Sequence, residues 1–138
     1  MAISPSDCSV FIQIYVDTNA VAQGSTKGVY LVDNQLTTGS SNEGTPNLVT
    51  VATQNSNVCF SLLNVDAQDS SQLSVQNFGN SNAFGFNGTP QQYNPTTWTG
   101  TLAKGETTSS YSVTLNVTKQ GGGGSLTTQV NPTFKVIG

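Results

Sequence analysis

Ser9-Val10-Phe11-Ile12-Gln13-Ile14-Tyr15-Val16 is the stretch that decides the fold. Val10, Ile12, Ile14 and Val16 recur at period two, which places them on one face of an extended strand. Phe11, Gln13 and Tyr15 take the other face. That second face is half apolar, so the strand is expected in the middle of a sheet. Asp17-Thr18-Asn19 follows with turn chemistry.

Outward from this strand the same pattern returns. Residues 28–33, 48–53, 58–63, 73–78, 98–102, 111–117, 126–130 and 133–137 all read as strands, and no amphipathic helix of useful length appears. Turn signals separate them at roughly 8–12-residue spacing. Residues 34–46 form a long polar loop. Residues 79–96 are broken by Gly, Asn and Pro and read as irregular. The expectation is an all-β chain, an antiparallel β-sandwich of about eight or nine strands forming one domain over residues 1–138, with a β-barrel as the alternative. The Gly121-Gly122-Gly123-Gly124-Ser125 stretch reads as a hairpin loop, or else as an engineered linker in place of a native one.

Composition narrows the chemistry. Sixty of the 138 residues are Ser, Thr, Asn or Gln. Only 8% are charged, with four Lys, no Arg and no His, for a net charge of −3. A His-based triad, a His-ligated metal and an arginine clamp are therefore excluded within one chain. The acidic balance argues against nucleic acid. No apolar run reaches the length of a membrane helix, and Met1-Ala2-Ile3-Ser4-Pro5 has no signal-peptide pattern, so a cytoplasmic location is expected. Cys8 and Cys59 each open an apolar run. They read as two free buried thiols, with a disulfide as the alternative.

Five segments, in order, resemble the bacterial inclusion-body protein family, the AidA- and PixA-like proteins. They are Ile14-Tyr15-Val16-Asp17-Thr18; Val29-Tyr30-Leu31-Val32-Asp33; Gly39-Ser40-Ser41-Asn42-Glu43-Gly44-Thr45 with Leu48; Phe84-Gly85 with Gly88, Pro90 and Gln92; and Trp98-Thr99-Gly100-Thr101-Leu102 with Gly105 and Tyr111. The resemblance spans roughly residues 10–132. The chain departs from it where the family tends to carry Trp-Asp-Pro, since it reads Val130-Asn131-Pro132 there. The resemblance implies a small, mostly β, non-enzymatic protein, abundant in late growth and in some cases accumulating as intracellular inclusions. Sugar binding and insect- or host-directed roles are also open to the group.

Three functional expectations follow. A surface of neutral amides and hydroxyls offers little charge repulsion between copies, so a homo-oligomer is expected. Asn82, Asn87, Gln92, Tyr93 and Trp98 combine amides with aromatic platforms, the chemistry of a glycan-binding site. Asp33, Glu43, Asp66 and Asp69 sit in oxygen-rich loops that suit calcium, the one cofactor expected if any is bound. Against these, Trp98 also reads as a core plug. Asp17 and Asp33 also read as strand-ending residues that close turns. The four Lys read as solvated surface groups, and no catalytic residue is identified.

Overall fold

The computed structural model describes residues 2–79, 82–85, 89–122 and 124–138. Alternation decides which side chains enter its core. β1 (Val10–Val16) buries Val10, Ile12, Ile14 and Val16 and turns Phe11, Gln13 and Tyr15 outward. It lies between β2 (Val29–Asp33), which runs antiparallel, and β4 (Asn57–Asn64), which runs parallel. β7 (Thr97–Thr101) and β6 (Gln91–Asn94) complete a five-stranded sheet in the order β2-β1-β4-β7-β6.

The facing layer is split. One sheet has the order β10-β9-β5, from β5 (Gln72–Gly79), β9 (Ser112–Thr118) and β10 (Ser125–Val130). The other has the order β3-β11-β8, from β3 (Val49–Thr53), β8 (Thr107–Ser110) and β11 (Thr133–Ile137). One long hairpin, β8 and β9 against β10 and β11, runs through both. Paired residue numbers add to 243 in both, from Ser125 opposite Thr118 to Val136 opposite Thr107. The ladder is interrupted where Pro132, which has no N–H, comes opposite Tyr111. The backbone bridges the gap with one bond, Tyr111 N to Pro132 O at 2.9 Å. Gly121, Gly122 and Gly124 lie in the turn of this hairpin, tied by Lys119 N donating to Gly124 O at 2.8 Å.

The all-β sandwich expected from the sequence is what forms, and none of its sheets closes into a barrel. Three features differ in detail. There are eleven strands among the described residues, because β6 and β8 join the nine read from the pattern. Both are built of polar residues that only pairing makes extended. β6 also brings order to part of the stretch read as irregular. Two of the pairings, β1 with β4 and β3 with β11, are parallel rather than antiparallel. In each case the intervening chain crosses to other elements before returning, as a parallel pair requires.

Phe60 on β4 is the hub of the core. Its ring centroid lies 5.0 Å from Phe78, 6.0 Å from Tyr111, 6.3 Å from Phe134 and 6.4 Å from Phe84. Phe78 belongs to β5 and Phe134 to β11, so one side chain ties all three sheets together. No helix among the described residues is long and apolar enough to cross a membrane.

Candidate functional site

Three places on this framework carry chemistry. The first is the outer face of the five-stranded sheet. The register aligns Tyr30, Tyr15 and Leu63 in one row, and Val32, Gln13 and Ser61 in the next. Phe11 and Cys59 begin a third row. Phe11 is 38% exposed, Tyr30 41% and Leu63 36%, and Val65 just beyond is 51% exposed. Among the described residues, no charged side chain occupies an outward position on these strands. The residues of this face were legible as strand positions, but their convergence was not.

Residues 2–8 cover the other half of that face. Thr99 Oγ1 donates to Ile3 O at 2.8 Å, and Asn57 Nδ2 donates to Asp7 O at 3.0 Å. Ser4 caps the short turn Pro5–Asp7. This strap buries Cys59 and brings Cys8 against it; both are free thiols. Burial, and then the neighbouring Cys59 thiol, push the Cys8 thiol up to about 11. Only the thiolate attacks electrophiles. Native Cys8 should therefore label roughly a hundredfold more slowly than a free cysteine at neutral pH, and faster as pH approaches 11. A disulfide-exchange reagent followed from pH 7 to 10 reads this directly. Rapid labelling at pH 7 would contradict the buried strap.

The second place is the region expected to bind glycans. Trp98 is only 6% exposed and packs on Phe78 at 6.4 Å. Gln92 lies opposite it in the β6–β7 pairing. The two meet in a cleft of about 210 Å³, with Gln76, Asn77 and Thr89 among its lining. Gln76 is the extra residue of a bulge in β5, which turns amides towards the cleft; nothing in the local sequence marks that bulge. Tyr93 is exposed at a register shift in β6, and Asn82 sits on a separate short turn, Asn82–Phe84. Asn87 lies outside the described residues.

The third comprises the acids expected to hold calcium, which divide into two pairs. Asp66 and Asp69 are engaged by their own loop and by the turn that follows β1. Asp69 accepts from Ser71 N at 2.8 Å, from Ser71 Oγ at 2.6 Å and from Thr18 Oγ1. Asp66 accepts from Gln68 N at 3.0 Å and from Asn19 Nδ2 at 3.2 Å. The Ser71 and Thr18 bonds, with Lys119 adding its charge, hold the Asp69 carboxyl below its usual range. Lys119 is not simply a solvated group, because its ammonium donates to Thr18 O.

Asp33 and Glu43 meet at the opposite end of β1. Asp33 Oδ1 accepts from Gln35 N at 2.8 Å, so this residue does close its turn, as Asp17 does by accepting from Asn19 N at 3.0 Å. Glu43 Oε1 accepts from Asp33 N at 2.8 Å, pinning the 34–47 loop onto β2. Burial first, and then the neighbouring Asp33 carboxyl, raise the Glu43 carboxyl above its usual range. Tyr111 is 1% exposed and stacks on Phe134 at 4.7 Å. Burial, and then the Asp33 charge, hold its hydroxyl well above the ordinary tyrosine range.

A family model described as Domain of unknown function (DUF8788) matches residues 8–123. The chain belongs to the DUF8788 family. The match takes in the whole five-stranded sheet and the first arm of the long hairpin, β8 and β9. The DUF8788 chain also shares its fold with the crystal structure of the inclusion body protein PixA from Burkholderia cenocepacia J2315. The TM-score is 0.65, over 95% of this chain and 98% of that one, at 10% sequence identity. The inclusion-body resemblance seen in the sequence is thus present as a common fold. No curated protein matches the chain.

Proposed function

We propose that this DUF8788 protein is non-enzymatic and works by associating with copies of itself, held in the cytoplasm in dense assemblies. The observation that carries this reading is the uncharged outer face of the five-stranded sheet. Phe11, Tyr15, Tyr30, Val32 and Leu63 form an apolar patch across three adjacent strands. A partner bearing strong charge would find nothing to pair with there. A second copy would meet no like charge, and would bring hydroxyls and amides such as Gln13 and Ser61 to the rim.

The patch is small, five side chains that are each only partly exposed. A standard interface takes about 800 Å² from each partner, so the contact is expected to be weak and concentration-dependent. One self-complementary face closes into a dimer and stops there. Denser packing then needs a further contact, which a surface with few charges does little to oppose. The fold likeness to a protein described as an inclusion body protein supports the same reading. The non-enzymatic part rests on the absence of His and Arg and on the placement of the acids. Glu43 is bonded to the Asp33 backbone N–H, whereas paired glycosidase acids stand about 5–10 Å apart across a cleft.

Light scattering and sedimentation across concentration and salt test the proposal. The expected result is an average mass that rises above one chain with concentration and does not fall with added salt. A strict monomer under all conditions would end it. A glycan-binding reading is favoured by one observation, the cleft where Gln92 and Asn77 flank the edge of Trp98. Binding on a glycan array, lost in Gln92→Ala, would support it, and an empty array would remove it.

A further inference from the structure

Among the described residues, four buried side-chain oxygens have no hydrogen-bond partner: Asp33 Oδ2, Glu43 Oε2, Thr50 Oγ1 and Tyr111 Oη. Their positions are related. Each carboxylate commits one oxygen to a backbone N–H and leaves the other unpartnered. Asp33 lies opposite Ile12, whose side chain faces the core, so its own side chain is turned to the interior side of the sheet. Tyr111 reaches towards it from the opposite layer, and Asp33 is the charged group that acts on its hydroxyl. Thr50, fully buried on β3, lies opposite Phe134, the ring on which Tyr111 stacks. Both the tyrosine and the threonine are more than nine-tenths buried.

Buried polar groups without partners call for an ion or an ordered water. A proton shared between the two carboxyl groups would serve Asp33 and Glu43 and leave the two hydroxyls unserved. A hydrated cation can serve all four. Among the described residues, the side chain acting on the Glu43 carboxyl is Asp33, which carries the same charge. We propose that this end of the sandwich interior binds a hard divalent cation, calcium foremost, through Asp33 Oδ2 and Glu43 Oε2, with its coordinated water meeting Tyr111 Oη and Thr50 Oγ1. The donors are all oxygen, which favours calcium or magnesium over zinc or copper. Calcium accepts the irregular geometry of a strand end and a loop more readily than magnesium does. Asp33 and Glu43 are each partly exposed as residues, which gives the ion a way in. The Asp66–Asp69 loop is not part of this site.

The test uses the whole chain, freed of metal with EDTA and then given calcium chloride alone. Tm should rise by several degrees at saturating calcium, since an ion bound only by the folded state stabilises it. Asp33→Asn and Glu43→Gln should each lose that rise, and Asp66→Asn should keep it. Terbium supplies a second reading that does not depend on those variants folding. Bound in place of calcium, it should emit on tyrosine excitation, and Tyr111→Phe should reduce that emission at least threefold. The proposal is overturned if calcium leaves Tm unchanged, as it would with water alone in the site. It is equally overturned if Asp66→Asn abolishes the rise, or if terbium emission is the same in Tyr111→Phe.

Discussion

Phe60→Ala is expected to lower the unfolding free energy by about 3–5 kcal/mol, the range for large aromatic truncations in a packed core. Phe60 is fully buried and touches Phe78, Phe84, Tyr111 and Phe134. Phe78 and Phe134 sit on different sheets, Phe84 on a separate turn and Tyr111 between β8 and β9, so no single element can shift to fill the space without losing contacts to the others. Most domains are stable by only about 5–15 kcal/mol, and such a loss would be a large fraction of the total. Urea denaturation should show the midpoint falling with little change in slope. A loss below about 1 kcal/mol would mean that the three sheets are not joined at this residue.

Gly100→Ala is expected to destabilise by about 1–3 kcal/mol through overpacking. A Cβ at Gly100 would stand 2.9 Å from Phe84 Cε1, 3.0 Å from Phe84 Cδ1 and 3.3 Å from the Pro90 backbone. The Phe84 ring has little freedom to retreat, since it packs edge-on against Phe134 at 5.4 Å. The control is Gly105→Ala, where the new Cβ would meet the end of the Gln54 side chain, a flexible group that can move aside. Thermal melting of the two variants together should give a clearly larger drop for Gly100→Ala. Equal drops would contradict the packing of Phe84 beneath β7.

The legible parts of this fold are those set by local alternation. β1 could be assigned, inward and outward faces included, because its apolar residues fall at period two. β8, built from Thr107, Thr108, Ser109 and Ser110, carries no such pattern; it is a strand because the continuous hairpin register extends onto it. The parallel pairing of β1 with β4 was not legible either, since it depends on where the chain goes between them. At the candidate sites, residue type was informative and convergence was not. Asp33 and Glu43 stood out as oxygen donors, but so did Asp66 and Asp69, whose oxygens are occupied by their own loop and by Thr18 and Asn19. Tyr111 and Thr50 looked like ordinary strand residues. Only the facing of the layers shows that their hydroxyls are buried without partners.

Copies of this chain are expected to meet through the bare half of the five-stranded sheet. Sedimentation equilibrium of the wild type beside the double variant Tyr30→Lys with Leu63→Lys tests this most directly. Both side chains point outward and are well exposed, so the substitutions should leave the fold and its far-UV spectrum unchanged. On a two-fold contact they would set four ammonium groups in one small interface, where like charges repel strongly. The expected result is concentration-dependent association in the wild type and a single-chain mass in the double variant at the same concentrations. Association of equal strength in both proteins would contradict the assignment of this face.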